Sequence, residues 1–573
     1  MSDDGQTFFV GDNTARRLKF MFLHSEPKPL KTLNMKTLKN CLFPVVVLLL
    51  FTGGGCGQKW TEENKGSFSI IRNDDGQTLG FSPASGIEIL TIKRLAFKDL
   101  NKNGKLDPYE DWRLSVDERA LDLVSRMSIE QIAGLMLYSS HQSIPSVGGG
   151  FGPEATYGGM AYVESGVLPG DLSDQQKKFL TEDNLRHVLI TSVESPEVAA
   201  IWNNNAQAFV EGTGLGIPVN TSSDPRHGSD SYAEYNAGAG GEISMWPGTL
   251  GIAASFDPEL MKRFGEIASM EYRALGIATA LSPQIDLATE PRWSRFNGTM
   301  GEDPDLATDM ARAYVDGFQT SEGEAHIADG WGYHSVNAMV KHWPGGGPEE
   351  GGRDGHFAYG AYAVYPGNNI KDHLRPFTEG AFRLQGPTGM ASAVMPYYTI
   401  SFNQDPSYGE NVGNAYSKYI INDLLRTDYN YDGVICTDWG VTGDVSGIDR
   451  FEGKPWGVEG RSVAERHYSI IMAGCDQFGG NNDKGPVLEA YAMGVKEHGE
   501  EFMRARFEQS AVRLLKNTFR VGLFENPYID TENTKSTVGK PEFMKEGYDA
   551  QIRSIIMLKN SSGVLPVKKQ LKV

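Results

Sequence analysis

Short apolar runs alternate with longer amphipathic segments through most of this chain, and this pattern most limits the folds open to it. The apolar runs predict buried strands over residues 185–190, 215–222, 276–283, 336–342, 389–396 and 432–438. The segments between and around them predict helices over residues 114–129, 195–210, 257–275, 303–320, 372–383, 417–425 and 501–521. Strands that alternate with helices form a parallel sheet, because each return to the sheet needs a crossover connection.

Such a sheet can close on itself or stay open. We favour a TIM-type (β/α)8 barrel with some irregular strands, and an open doubly wound sheet is the alternative. The open sheet is the weaker interpretation, because no glycine-rich phosphate-binding turn follows the first predicted strand. We assign the barrel to residues 114–528, preceded by an N-terminal segment at 57–113 and followed by a polar interdomain linker at 529–553.

Charge excludes one class of partner. The 573 residues include 54 Lys and Arg against 73 Asp and Glu, which gives a formal net charge of −19. Nucleic-acid binding needs clustered cations to meet the phosphates, so we expect no nucleic-acid partner. With 40% hydrophobic residues, the chain has the composition of a globular protein.

The N-terminal region predicts export. Residues 35–56 carry two lysines, an apolar run and small residues that lead to Cys56, in the order of a secretory signal. The cysteine resembles a bacterial lipoprotein cleavage site, although Gly53 stands where Leu is usual, and a plain signal peptide is the alternative. We expect a periplasmic or outer-membrane protein of a Gram-negative cell, attached to the membrane only through a lipid at Cys56. Residues 1–34 are interpreted as a non-native extension upstream of the true start at Met35.

Residues 99–110, DLNKNGKLDPYE, have the spacing of an EF-hand calcium loop. Alternate side-chain oxygens wrap a hard cation, a glycine permits the sharp turn, and the final glutamate can bind through both oxygens. The predicted ligands are Asp99, Asn101, Asn103, the backbone carbonyl of Lys105, Asp107 and Glu110, with Gly104 at the turn. A single loop favours a structural calcium clip over a sensor, and a solvated turn without an ion is the alternative.

Charged side chains follow the C-terminal ends of several predicted strands, where a (β/α)8 barrel holds its active site. They are Asp224, Arg292, Arg295, Lys341, His342 and Asp438. Charged groups beside buried strands are costly unless they are paired or used. Each alone is compatible with a salt bridge at the barrel mouth, but together they predict a site for a ligand rich in hydroxyl groups.

Four segments also carry a family resemblance: DPRHG (224–228), SPQIDLATEPRWSRFNGTMGEDPDL (282–306), KHWPGG (341–346) and GVICTDWG (433–440). In these residues and in their order, the chain from about residue 114 onward resembles glycoside hydrolase family 3, in its β-glucosidase-like branch. The resemblance implies that Asp438 is the catalytic nucleophile. It implies sugar binding by Asp224, Arg295, Lys341, His342, Tyr398 and Trp439, with Ser294 in place of a usual Gly and Tyr397 as the neighbour of Tyr398.

The implied activity is hydrolysis of terminal, non-reducing β-linked sugars with retention of configuration, most simply by a β-glucosidase. The partner would be an oligosaccharide or a β-glycoside, and no cofactor is expected for catalysis. Retention uses two carboxyls about 5 Å apart, one a nucleophile and the other a general acid. Cations such as Lys341 and Arg295 would favour the ionised form of the nucleophile.

The resemblance assigns no general acid. In two-domain members it is usually a glutamate of a second α/β domain, and residues 554–573 resemble only the opening of that domain. A truncated gene, an encoded fragment and an acid supplied by the barrel are the three interpretations. For the last, a hexosaminidase branch uses an Asp-x-His pair, which would be Asp354 and His356, but the spacing is two residues longer. The GGRD segment is a fuller match to β-glucosidase-like members.

Two alternatives to a β-glucosidase function therefore remain open. One is a β-N-acetylhexosaminidase that uses Asp354 and His356, and the other is a sugar-binding envelope lipoprotein that does not hydrolyse its ligand.

Overall fold

The computed structural model describes residues 58–147, 155–228, 242–407, 409–445, 447, 452–563 and 565–566. The predicted signal at 35–56 and the extension before it lie outside the described residues. Within the described ranges, no helix is both long and apolar enough to cross a membrane.

Two small antiparallel sheets precede the barrel. The first contains β1 (Trp60–Asn64), β2 (Ser69–Asn73) and β3 (Thr78–Phe81). The second pairs β4 (Glu88–Ile92) with β5 (Leu95–Asp99), so the predicted calcium loop starts at the last residue of a strand.

The barrel contains strands of two to seven residues. In chain order, the barrel strands and the short strands in the loops between them are β6 (Gln142–Ile144), β7 (His187–Val193), β8 (Asn220–Ser223), β9 (Ile277–Ala280), β10 (His326–Ala328), β11 (Trp331–Gly332), β12 (Asn337–Trp343), β13 (Tyr362–Ala363), β14 (Ala393–Pro396), β15 (Ile400–Ser401) and β16 (Val434–Ile435). Seven of them form one parallel sheet in the order β16-β14-β12-β9-β8-β7-β6. The pairs β10–β11 and β13–β15 are separate ribbons in the loops.

The parallel sheet closes through two residues outside these strands. Gln477 pairs in parallel with Cys436, next to β16, and Phe478 pairs in parallel with Leu137, shortly before β6. Residues 477–478 thus take the place of an eighth strand between the two edges of the sheet. The predicted TIM-type barrel is confirmed, and closure excludes the open doubly wound sheet.

Helices connect the strands and surround the barrel. They are α1 (Val116–Arg126), α2 (Ile129–Leu135), α3 (Tyr162–Ser165), α4 (Asp174–Thr181), α5 (Pro196–Glu211), α6 (Thr249–Ala253), α7 (Pro258–Ala274), α8 (Pro304–Gln319), α9 (Ile370–Arg375), α10 (Val463–Ala473), α11 (Gly485–His498), α12 (Glu500–Arg520), α13 (Thr531–Thr537) and α14 (Pro541–Arg553). Side-chain caps explain several starts, because Ser195, Asp257 and Asp303 each accept a backbone N–H from the first turn.

Some predicted elements differ from those in the structure. The helix predicted over 114–129 ends at Arg126, and α2 begins after Ser128, whose side chain caps the new helix. The helix predicted over 372–383 becomes π-helical at Pro376–Ala381, where proline lacks the N–H of a regular turn. The polar segment at 529–553 is largely helical, as α13 and α14. The described residues after α14 form no helix or strand.

Asp476 anchors the residues that close the barrel. Its buried carboxylate accepts hydrogen bonds from Arg426 at 2.5 Å, from Arg513 at 3.2 Å and from the backbone N–H of Ile435 at 3.0 Å. We expect Asp476→Ala to lower the free energy of unfolding by about 3–5 kcal/mol, because buried guanidinium groups lose their counter-charge. Urea unfolding followed by circular dichroism measures this loss.

Asp432→Ala is the matched control. Asp432 also pairs with Arg513, at 2.9 Å, but its side chain is 68% exposed. We expect its removal to cost about 0–1 kcal/mol, as for a surface ion pair. Equal costs for the two variants would contradict the role of Asp476 as an anchor.

Candidate active site

Buried polar residues gather at the C-terminal rim of the barrel. Asp224 follows β8, Lys341 and His342 lie near the end of β12, Tyr398 follows β14 and Asp438 follows β16. The strands are parallel, so their C-terminal ends share one rim, and side chains distant in sequence meet there.

Asp438 is buried, and one of its two carboxylate oxygens accepts no hydrogen bond from the described residues. The residue is 6% exposed. Its Oδ1 accepts the backbone N–H of Trp439 at 2.7 Å, whereas Oδ2 accepts no hydrogen bond from the described residues and lies 3.9 Å from His342 Nε2. Burial alone would raise the pKa of this carboxyl, but His342, Arg295 and His356 hold it below its usual value. Asp438 is therefore ionised at neutral pH.

A buried ion pair lies beside the loop after β8. Lys341 Nζ donates to Asp224 Oδ1 at 3.0 Å, and both residues are buried. The Tyr272 hydroxyl of α7 fixes this loop, because it donates to the Asp224 carbonyl at 2.8 Å and accepts the N–H of Arg226 at 3.0 Å. A carboxylate next to an ammonium offers acceptors and donors together, which suits neighbouring hydroxyl groups of a ligand.

Asp286, which the sequence analysis did not single out, supports His342 from behind. Its Oδ2 lies 2.7 Å from His342 Nδ1, and its Oδ1 accepts the backbone N–H groups of His342 at 3.0 Å and Gly346 at 2.6 Å. Burial lowers the pKa of His342 to about 4, so the ring is neutral at pH 7. The sequence does carry a signal for Asp286, because this residue is the lone acidic residue in a run that otherwise has the character of a buried strand.

Arg295 and Arg292 separate in the structure. The Arg295 guanidinium lies 5.8 Å from the ring centre of Tyr397 and helps to lower the pKa of Asp438. Arg292 is turned outward, with its side chain 70% exposed and paired with Glu290 at 2.7 Å. Arg295 thus belongs to the buried cluster, whereas the expectation for Arg292 is wrong.

Trp439 is fixed against the residues that precede β6. Its Nε1–H donates to the Ser139 carbonyl at 3.1 Å, and its ring centre lies 5.2 Å from that of Tyr138. The half-buried indole stands next to Asp438 in sequence and remains partly accessible at the rim.

The adjacent residues Tyr397 and Tyr398 take different environments. The Tyr398 ring lies 4.6 Å from that of His356, and its hydroxyl contributes to the lowered pKa of Asp438. Tyr397 is completely buried, with its ring 4.6 Å from that of His342. The geometry places Tyr398 beside the carboxylate and Tyr397 beneath the imidazole.

Two further acidic residues lie in the loop after β12. Asp354 Oδ1 is 2.6 Å from His356 Nδ1 and also accepts the backbone N–H of that residue at 2.9 Å, so the alternative Asp-x-His pair is formed. Burial alone would raise the pKa of Asp354, but His356 lowers it to about 2. Glu349, which the sequence did not identify as unusual, accepts the N–H of Gly355 at 2.7 Å, and burial raises its pKa to about 9.

The predicted calcium loop makes its sharp turn at Gly104, where φ is +72°. The Asp99 carboxylate accepts the backbone N–H groups of Asn103 at 3.0 Å and Gly104 at 2.8 Å. Glu110 accepts the N–H of Leu100 at 2.8 Å. The first and last predicted ligands therefore also hold the backbone of the loop in place.

The side chains of Asn101, Asn103 and Asp107 converge. Both asparagine amides donate to Asp107 Oδ2 at 2.6 Å, and Arg126 lies 3.0 Å from Oδ1 of the same carboxylate. The described part of the chain contains no group of three or more His, Cys, Asp or Glu placed to hold a metal. An ion in this loop would thus also need the asparagine oxygens and the Lys105 carbonyl.

The chain is similar to known glycoside hydrolases. The family model for the glycosyl hydrolase family 3 N terminal domain matches residues 155–516. The chain is 40% identical over 504 residues to a periplasmic beta-glucosidase/beta-xylosidase of Dickeya chrysanthemi, which covers 85% of this chain and 71% of the relative. It is 36% identical over 494 residues to a probable beta-glucosidase C of Aspergillus oryzae, covering 85% and 70%.

Solved structures share the fold. A β-glucosidase from Erythrobacter marinus has a TM-score of 0.60 at 23% identity and matches 80% of this chain. A β-glucosidase from Listeria innocua in complex with isofagomine has a TM-score of 0.56 at 22% identity and matches 78%. The chain spans 52% of each of these two solved chains, and at this identity the likeness shows the fold alone.

Glu349 makes the stability of the folded protein depend on pH in a measurable way. Burial raises its pKa from 4.5 to about 9, so the folded protein keeps a proton that the unfolded chain releases. Its contribution to stability is complete below about pH 4.5 and is lost as the pH rises to about 9. We expect Glu349→Gln, which cannot ionise, to gain stability over wild type steadily between these pH values. Thermal unfolding at a series of pH values measures the difference in stability between the variant and wild type.

Glu350→Gln serves as the control for this comparison. Its side chain is 56% exposed and pairs with Arg353, so the gap to wild type should change little over the same range. If the difference in stability between Glu349→Gln and wild type did not change with pH, Glu349 would be ionised in the folded protein.

Proposed function

Because this chain belongs to glycosyl hydrolase family 3, we propose that it is an exo-acting, retaining β-glycosidase that prefers terminal β-glucosyl units. The proposal rests above all on Asp438, a buried and ionised carboxylate with one oxygen that accepts no hydrogen bond from the described residues. The names of the relatives from Dickeya chrysanthemi and Aspergillus oryzae support a glucoside or xyloside as the substrate.

Substrate binding uses the groups around Asp438. The Asp224–Lys341 pair offers an acceptor and donors to neighbouring sugar hydroxyls, and His342 and Arg295 face the same carboxylate. Several directed hydrogen bonds to one sugar hold its anomeric carbon near the nucleophile, which removes much of the entropic cost of the reaction.

The reaction then proceeds in two displacements. Asp438 Oδ2 attacks the anomeric carbon, the bond to the leaving oxygen breaks, and a covalent glycosyl-enzyme forms. In the second step water loses a proton to a general base and attacks the same carbon, the bond to Asp438 Oδ2 breaks, and the configuration of the substrate is restored. The leaving oxygen of an unactivated sugar needs a proton from a general acid, whereas dinitrophenolate leaves without one.

We propose that the protein is exported. Residues 35–56 predict a signal, and the relative from Dickeya chrysanthemi is named periplasmic. A lipid on Cys56 would attach the protein to the envelope, as the small residues before this cysteine predict.

We also propose that residues 99–110 hold a structural calcium ion. The turn at Gly104 and the convergence of Asn101, Asn103 and Asp107 support this, because these residue types supply the hard oxygen ligands that calcium prefers. The ion would tie the end of β5 to the residues before α1, and it would take no part in the chemistry at Asp438.

Asp438→Asn tests the nucleophile. We expect wild type to release dinitrophenolate from dinitrophenyl β-glucoside and the variant to lose at least about 1,000-fold in kcat, because an amide cannot form the glycosyl ester. A 2-fluoroglucoside should label the peptide that contains Asp438, as seen by mass spectrometry. Asp444→Asn, at an exposed carboxylate that pairs with Arg466, should keep wild-type activity. Full activity in Asp438→Asn would contradict the assignment, and sugar binding by wild type without turnover would favour the binding-protein alternative.

His356→Ala separates positioning from acid catalysis. We expect similar losses on dinitrophenyl β-glucoside and on cellobiose, because the His356 ring packs against Tyr398 and its Nδ1 is engaged by Asp354. A loss confined to cellobiose would instead identify His356 as the general acid and would revive the Asp-x-His alternative.

Calcium binding is tested by thermal unfolding with calcium or EGTA. We expect calcium at about 100 times its Kd to stabilise the protein by about 2.7 kcal/mol, and Asp99→Ala to abolish this response. Lys105→Ala is the control, since its predicted ligand is the backbone carbonyl, and it should keep the response. Equal melting temperatures with calcium and EGTA in wild type would show that the loop holds no calcium.

A further inference from the structure

We propose that Asp286 is a positioning residue that sets the tautomer of His342, so that Nε2 faces the substrate as an acceptor and Asp438 Oδ2 stays free. The kinetic consequence rests on the proposed glycosidase function, whereas the tautomer itself does not.

The orientation of Asp286 is determined by groups that can only donate. The backbone N–H groups of His342 and Gly346 both point to its Oδ1, at 3.0 Å and 2.6 Å. Oδ2 is therefore the oxygen that meets the imidazole, at 2.7 Å from Nδ1. Asp286 and His342 are both almost completely shielded from solvent, so bulk water does not compete for these contacts.

The charge on Asp286 determines where the ring carries its proton. Burial alone would raise the pKa of this carboxyl, but His342 and the two backbone N–H groups lower it. A carboxylate without a proton can only accept, so a short contact to Nδ1 requires the proton on Nδ1. In the neutral ring, Nε2 then carries a lone pair.

This lone pair faces the nucleophile. His342 Nε2 lies 3.9 Å from Asp438 Oδ2, too far for a hydrogen bond but close enough for one ligand atom to approach both. A sugar hydroxyl can donate to Nε2 while Oδ2 remains directed at carbon. The opposite tautomer would turn an N–H toward Oδ2 and would compete for the electron pair that attacks.

Asp286→Asn is a directed test, because the backbone determines how the amide must lie. The two N–H groups retain the amide oxygen at the Oδ1 position, so the NH2 group faces His342 Nδ1 and donates to it. The ring must then carry its proton on Nε2. We expect kcat/KM on dinitrophenyl β-glucoside to fall about 10- to 100-fold, by analogy with the residues that orient a metal-binding histidine.

The tautomer is measured directly by nitrogen NMR of histidine-labelled protein. The chain has 11 histidines, and the His342 signals are identified by their absence in His342→Gln. We expect a protonated Nδ1 and an unprotonated Nε2 in wild type at pH 7, and the reverse in Asp286→Asn. Wild-type protein alone decides the question if the variant does not fold. A protonated Nε2 in wild type would overturn the proposal, even in a protein without glycosidase activity.

Asp316→Asn is the matched control. Asp316 is also a buried aspartate that accepts two backbone N–H groups, from Gln385 at 3.1 Å and Gly386 at 2.9 Å, but it lies at the end of α8. We expect it to leave the His342 signals and kcat/KM unchanged. If it lowered kcat/KM as much as Asp286→Asn does, the loss would reflect general destabilisation, and the proposal would fail.

Discussion

Closure of the barrel depends on a pairing of only two residues. Gln477 and Phe478 pair with Cys436, next to β16, and with Leu137, shortly before β6, and without them the sheet would have two open edges. Asp476 precedes them and accepts hydrogen bonds from arginines outside the sheet, so a buried charge network holds the residues that close the barrel. Asp438 lies two residues after Cys436, so the position of the proposed nucleophile depends on this closure.

Charge pairing organises the rim that closure creates. Buried carboxylates are expensive unless a donor or a cation compensates them. Asp224 has Lys341, Asp286 has His342, and Asp354 has His356. Asp438 differs, since one of its oxygens accepts the backbone N–H of Trp439 and the other has no hydrogen bond from the described residues. The neighbouring groups keep the pKa of this carboxyl low, although Oδ2 is buried.

The sequence predicted six of the barrel strands and the residues at their ends because both signals are local, but it missed β6 and the pairing at residues 477–478. Apolar runs set the strands, and Asp224, His342 and Asp438 stand where the runs stop. The same reasoning missed β1, whose residues are mostly exposed and show no apolar period. It also missed Asp286 and Glu349, because a single acidic residue in an apolar or glycine-rich segment has no spacing that identifies its partner.

By itself, the sequence determined the class of fold, the family and the order in which functional residues follow the strands. Tertiary structure alone decided the environments of these side chains. Arg292 is turned outward while Arg295 helps to lower the pKa of Asp438, and Tyr397 packs on His342 while Tyr398 packs on His356. Tertiary structure also decided the protonation of His342 and Glu349. These properties depend on burial and on charges that come from distant parts of the chain, and neither quantity exists until the barrel has closed around them.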